Sequence, residues 1–383
     1  AVSASPQASR PKGLLLLLDG CRPDALLAAN APTLKGMALD GGAYSFHVHC
    51  GAIPVSAPSW AIILTGVPHP EQPVASNDLD TLCIGSDGRV QVAPLPPCDC
   101  APSRGPLCEV FKRGQRKARA SMAEPTRLPL TIFERIAMTG RCSALITVGA
   151  WEGVARLCGA PAGCEEGFVP HAALSVKHFE AQLDEEVPQT QLAVDKVLEL
   201  LEKQTCPDLV TLYIHTIDAH GHIYGFGAEI AQYAGAIAFV DGEVQRLLKA
   251  VNRRAAWTKE EWLIAATTDH GGTTQCRMPS SMQQAFADCK CINRGISQTT
   301  LPGIHGLQEL SQHTQTFQIY AGIGFETVDA GELLPAPGPE DLVPTLLQHI
   351  IGPSCENQAA WKDLTKMQGR GLLLPAIPAA VSA

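Results

Sequence analysis

Three apolar runs, each followed within a few residues by an acidic residue, constrain this chain more than any other feature. Leu14–Leu18 leads into Asp19-Gly20. Leu209–Ile214 leads into Asp218-Ala219-His220-Gly221-His222, and Trp262–Ala266 leads into Asp269-His270-Gly271-Gly272. Short apolar runs bounded by glycine read as strands covered on both faces, the kind that build parallel sheets. The carboxyl ends of such strands share one edge, where ligands bind. Asp and His delivered there from distant segments meet in space. Carboxylate and imidazole together suit zinc, so the pattern points to a divalent-metal centre on an α/β scaffold.

The rest of the composition narrows the class. A length of 383 residues suggests two or three domains, although one α/β body with insertions fits as well. With 45% hydrophobic and 17% charged residues the chain is globular, not disordered. A net charge of −9 argues against nucleic-acid binding, which needs clustered Lys and Arg. The one basic run, Lys112–Arg119, reads as a solvated surface. No apolar stretch is long enough to span a bilayer, and the stretch Leu372–Pro378 is short and carries two prolines. No leader is read at Ala1, and a start without Met reads as trimming.

Of fourteen cysteines, nine cluster at Cys83, Cys98, Cys100 and Cys108, at Cys158 and Cys164, and at Cys276, Cys289 and Cys291. None forms a CxxC pair, so a zinc ribbon is not expected and disulfides are. Disulfides imply a secreted or lumenal, extracytoplasmic protein, although the chain has no N-x-Ser/Thr sequon.

Along the chain, helices are expected near 31–41, at 131–138, 189–202, 228–251 and 342–351, and strands at 143–148 and 316–321. The segment Pro54–Gly66 reads as a tight turn into a helix N-terminus, a place that favours an anion. Residues 79–127 form a Cys-rich, Pro-rich insertion expected to cover the active-site edge, and 276–303 form a second insertion. A catalytic domain over 12–352 and a C-terminal extension over 353–383 complete the expected layout. Asp218 and His222 are four apart, so one helical turn places both on one side.

These residues, taken together, resemble the alkaline phosphatase superfamily, and within it the type I phosphodiesterase/nucleotide pyrophosphatase branch. "DAHGHIYG" at 218–225 is similar to that branch's D-x-x-G-H-x-x-G, "TTDHGG" at 267–272 to its D-H-G, and "PGIHG" at 302–306 to its final H-G. "SAPSWAIILTG" at 56–66 resembles the nucleophile segment, and "ANAPTLKGMALDGG" and "DLVPTLLQHIIG" resemble flanking structural segments. The likeness runs from about 12 to 352, with both insertions unmatched. It implies an alkaline-phosphatase-like three-layer α/β sandwich, a mostly parallel central sheet with helices on both faces.

The resemblance also implies roles. One zinc would be held by Asp218, His222 and His305, the other by Asp19, Asp269 and His270 with the Ser56 hydroxyl. Ser56 would be the nucleophile and pass through a phosphoserine. Asn77, at the family's spacing from the nucleophile, would donate an N–H to a phosphoryl oxygen, and the Ala57 backbone would add another. The substrate would be a small-molecule phosphodiester or pyrophosphate. Ala57 stands where nucleotide-cleaving members carry a base-stacking aromatic, leaving Trp60 or Trp151 as a substitute platform or as core. Trp60 also stands where sulfatases need Arg. A phosphomonoesterase, a phosphoethanolamine transferase and an inactive binding protein are the competing readings. His313 competes with His305 as a ligand, His47 and His49 share a strand face, His215 and His220 sit near the site, and Cys21 lies beside Asp19.

Overall fold

The structure, a computed structural model, describes residues 11–51, 54–68, 71–77, 79–93, 125–149, 151–160, 167–168, 174–179, 181–274, 302–307, 310–324, 330–352 and 358–361. Its strands in chain order are β1 (Lys12–Leu18), β2 (Ala43–His49), β3 (Leu82–Ile84), β4 (Val90–Val92), β5 (Thr126–Arg127), β6 (Ser143–Val148), β7 (Gly167–Phe168) and β8 (Leu174–Phe179). They continue with β9 (Leu209–Ile214), β10 (Trp262–Thr267), β11 (Thr273–Thr274), β12 (Gly303–Ile304), β13 (Gln315–Ile323) and β14 (Gly331–Glu332). Nine of them make one sheet in the order β14-β2-β13-β10-β1-β9-β6-β8-β7. The central strands β10, β1, β9, β6 and β8 are parallel neighbours.

The apolar runs form strands because both faces of the sheet are covered. Every residue of β1, β6, β9 and β10 is buried. Successive side chains of a strand point to opposite faces, and β1 shows it: Leu15 and Leu17 join one core, Leu14, Leu16 and Leu18 the other. The first core is closed by the helices Ser56–Thr65, Ile132–Ala137 and Leu342–Ile351. The second is closed by the helices Pro32–Leu39, Glu186–Glu202 and Ala231–Thr258. This is the α/β sandwich expected, with helices on both faces of a mostly parallel sheet.

Register places the functional edge. Leu18 pairs with Ile214 and Leu17 with Thr267, so Asp19, the turn after β9 and the turn after β10 leave the sheet side by side. Two strands run against the others: β13, antiparallel to both β10 and β2, and β7, antiparallel to β8. The chain that carries His305 stays at the carboxyl edge after β10, so the next strand starts there and must run back.

The helices expected at 31–41, 131–138, 189–202, 228–251 and 342–351 lie at Pro32–Leu39, Ile132–Ala137, Glu186–Glu202, Ala231–Thr258 and Leu342–Ile351. Thr131 closes a capping box with Glu134, which sets the start of the second. Of the first insertion, 79–93 and 125–127 contribute the small antiparallel sheet β3-β4-β5. Residues 94–124 and most of 276–303 and 353–383 lie outside the described residues.

The disulfide expectation is corrected. Cys21, Cys83, Cys142, Cys158 and Cys206 are free thiols, and no disulfide forms among the described residues. Burial pushes the Cys21, Cys158 and Cys206 thiols up, Cys206 to about 12, so these three behave as small buried apolar groups. The clusters at Cys98–Cys108 and Cys276–Cys291 lie outside the described residues. No helix among the described residues is long and apolar enough to cross a membrane.

Candidate active site

Four segments deliver side chains to the carboxyl edge. Asp19 directly follows β1, and Gly20 (φ +64°) turns the chain away. A Cβ at Gly20 would stand 2.4 Å from Asp218 Oδ1, so glycine lets this turn lie directly against the next cluster. The helix Thr216–Tyr224 follows β9 and carries Asp218 and His222 one turn apart. Asp269 and His270 follow β10, and His305 directly follows β12. Asp19, Asp218, Asp269, His270 and His305 are all buried.

Three imidazoles are oriented by the backbone. His222 Nδ1 lies 3.0 Å from the Gly303 carbonyl, His270 Nδ1 2.9 Å from that of Gly271, and His305 Nδ1 3.1 Å from that of Pro54. A carbonyl only accepts, so each Nδ1 donates, and in its neutral form each ring turns a bare Nε2 inward. His222 Nε2 meets His305 Nε2 at 3.2 Å and Asp218 Oδ2 at 3.1 Å. His270 Nε2 meets Asp269 Oδ2 at 3.2 Å and Asp19 Oδ1 at 3.5 Å. The His270 and His305 rings stack at 3.8 Å.

Asp19 Oδ1, Asp218 Oδ1 and Asp269 Oδ2 are buried with no hydrogen-bond donor. Buried lone pairs converging without a donor are costly unless a cation completes them. Two overlapping sets have ligand atoms within 4.8 Å of one another: Asp19, Asp269 and His270, and Asp218, His270 and His305. His270 stands in both, and His222 lies against Asp218 and His305. The donor set fits zinc, and the carbonyl contacts behind each histidine are the outer support that metal-bound imidazoles use.

The electrostatics carry the same message. Burial first, then Asp269 and Asp218, pushes the Asp19 carboxyl well above its usual range. Burial and Asp218 push Asp269 up to about 8. Burial would also raise Asp218, but His222 and His215 outweigh it and hold that carboxyl low. Burial and the His270 ring hold His305 well below its usual value. Three carboxylates gathered in the core want positive charge.

Ser56 opens the helix Ser56–Thr65 and is buried. Its Oγ is 3.1 Å from His270 Nε2, so the hydroxyl donates to that bare nitrogen. Asn77 lies half-buried beside it, and its Oδ1 accepts the Ala57 N–H at 2.7 Å. This corrects the expectation that Ala57 would donate to substrate: its N–H is spent on Asn77. The same bond fixes the carboxamide, leaving the Asn77 NH2 as the free donor.

Other flagged residues fall elsewhere. Trp60 is fully buried with its indole N–H on Asp19, so it offers no stacking face; Trp151 is half-buried and packs on Tyr213. His313 accepts the Leu307 N–H through Nδ1 at 3.0 Å, which leaves Nε2 protonated in the neutral ring and unsuited to a metal. His47 lies beside Gln315 and Glu332, His49 bonds Gly51, and His220 bonds the Thr216 carbonyl. His215 bridges Glu186 at 3.0 Å and Asp218 at 3.5 Å.

Phe226 was not legible beforehand. It packs edge-on to His222, and a Cβ at Gly221 or Gly272 would strike its ring within 2.6 Å. The glycines beside the ligands are the one sequence signal that something bulky must enter there.

Over residues 136–299 the chain matches the family model described as type I phosphodiesterase / nucleotide pyrophosphatase. No curated protein matches it in sequence. Among solved structures, murine ectonucleotide pyrophosphatase / phosphodiesterase 5, in an inactive form with AMP, aligns with a TM-score of 0.56 at 14% identity, over 90% of this chain and 96% of its own. The alkaline phosphatase PafA aligns with a TM-score of 0.54 at 12% identity, over 90% and 96%. The phosphonate monoester hydrolase of Agrobacterium radiobacter aligns with a TM-score of 0.51 at 14% identity, over 89% and 74%. At these identities the likeness is one of fold.

Proposed function

We propose that the chain, whose residues 136–299 match the type I phosphodiesterase / nucleotide pyrophosphatase family model, is a member of that branch of the alkaline phosphatase superfamily and hydrolyses phosphodiester or pyrophosphate bonds through a phosphoserine on Ser56. The observation that carries this is the gathering of undonated carboxylate oxygens around His270, whose Nε2 meets the Ser56 hydroxyl. Asp19, Asp269, His270 and Ser56 would hold one zinc, and Asp218, His222 and His305 the other. When bound, such a pair of ions supplies Lewis acidity and lowers the cost of an oxygen nucleophile.

The chain's own groups then divide the work. Ser56 Oγ attacks phosphorus and the leaving oxygen departs, giving a phosphoserine that water resolves. The Asn77 NH2 donates to a non-bridging oxygen, and the N-terminal end of the Ser56–Thr65 helix adds partial positive charge. The helix holds the hydroxyl in place, so little orientational freedom is lost on the way to attack. Residues 12–352 would form this catalytic unit, and the insertion over 79–127 the wall that meets the second substituent.

Charge supports the diester. A monoester carries one more negative charge on its non-bridging oxygens and needs more cationic help. Arg22, three residues past Asp19, spends its guanidinium on Asp24 and on the Gly272 and Phe226 carbonyls. Asn77 is neutral. The comparison of bis-p-nitrophenyl phosphate, p-nitrophenyl phosphate and a thymidine monophosphate p-nitrophenyl ester tests the reading. The diester is expected to lead in kcat/KM, with no gain from the thymidine because Ala57 offers no stacking face. A monoester lead would replace the diesterase with a phosphatase, and no turnover of a zinc-loaded protein would favour a binding role.

A further inference from the structure

Asp19 divides its two carboxylate oxygens. Oδ2 accepts the Tyr213 hydroxyl at 2.5 Å and the Trp60 indole N–H at 3.2 Å, while Oδ1 has no donor and lies 3.5 Å from His270 Nε2. Both rings are fully buried and meet edge to face, centroids 5.8 Å apart. Phenylalanine would fill the place of Tyr213 about as well. Burying a hydroxyl and an indole N–H is costly unless they bond, and here both bond to one atom.

The two donors come from two different segments. Trp60 stands one turn after Ser56 on the same helix, and Tyr213 stands next to the end of β9, five residues before Asp218. One oxygen of Asp19 therefore joins the strand that bears it to the helix carrying Ser56 and to the strand that leads to Asp218 and His222. We propose that Tyr213 and Trp60 are positioning residues of the metal centre, saturating Asp19 Oδ2 so that Oδ1 alone is presented as a ligand atom. A carboxylate left free to rotate would spread its two oxygens between geometries, and outer partners of metal ligands are what prevents this. The inference rests on the metal reading under Proposed function.

The test is zinc affinity, measured by competition with a chromophoric chelator on the wild type, Tyr213→Phe and Trp60→Phe. Each variant is expected to bind zinc about 10- to 100-fold more weakly. Activity of Tyr213→Phe lost at limiting zinc should return at high zinc, which a damaged fold would not allow. Tyr213→Phe removes one oxygen and no carbon, so it carries the test even where Trp60→Phe opens a cavity. In an Asp19→Ala background, Tyr213→Phe should change zinc affinity no further. Wild-type affinity in Tyr213→Phe, or an equal loss with and without Asp19, would overturn the proposal. A wild type that binds no zinc would instead overturn the metal reading itself, and this inference with it.

Discussion

Exhaustive chelation should abolish turnover, and zinc should restore it. The expectation follows from which atoms meet: Asp19 Oδ1, Asp218 Oδ1 and Asp269 Oδ2 have no donor, and three imidazoles present bare nitrogens between them. Elemental analysis should find about two zinc ions per chain, and full activity with none would sink the two-metal reading. Stability gives a second, activity-free readout. In the chelated protein Asp269 titrates at about 8 against an ordinary 3.8, so the folded state holds a proton that the unfolded state has released. A carboxyl raised on folding stabilises at low pH, and that stability is lost as pH rises through the folded value. His305 and His313, both lowered, act oppositely, but only below their ordinary 6.5. Between about pH 6.5 and 8 the chelated protein should therefore lose stability as pH rises. The slope is at most about 1.4 kcal/mol per pH unit for Asp269 alone. Bound zinc, by compensating the carboxylates directly, should flatten it, and thermal melts with and without metal decide.

The fold and the centre of this site were legible to different depths. Strands β1, β9 and β10 could be read because burial on both faces demands unbroken apolar runs, and their common edge follows from parallel pairing. The helix over 342–351 was legible because its apolar residues and its terminal glycine mark one face and one end. The antiparallel return of β13 was not, because an apolar strand carries no record of its direction. Which side chains would meet was readable where each sits within a few residues of a strand end, as Asp19, Asp218 and Asp269 do. What supports them was not. Trp60 and Tyr213 look like core residues in sequence, and a single polar atom on each decides otherwise. The bond from Ala57 to Asn77 likewise depends on the path between them, which no local pattern encodes. Reading the cysteines as disulfides misled at the described positions, since Cys21, Cys158 and Cys206 are buried singly as apolar side chains.

Ser56→Ala should lower turnover by several orders of magnitude while leaving the metals in place. The magnitude follows from the role: a residue that forms the covalent intermediate has no stand-in, and removing such a nucleophile costs on the order of 10⁶-fold in a serine protease. Metal content should hold because Asp19, Asp269 and His270 remain as three side-chain ligands. Folding should hold as well. Ser56 is not the helix cap, a place taken by Val55, and its Oγ bonds His270 instead of the backbone. Alanine is a better helix former than serine. Asn77→Ala should cost less, about 2.7–4 kcal/mol in the barrier, the loss of one donor to a developing oxyanion. It also frees the Ala57 N–H, so part of its cost falls on the start of the nucleophile helix. Acid quenching of the wild type during turnover should trap on Ser56 a phosphoryl group that still bears the substrate's remaining substituent, and the alanine variant should trap none. Near-normal turnover by Ser56→Ala would mean that water attacks phosphorus directly, and the bare nitrogens and carboxylates around Ser56 would then serve a single displacement.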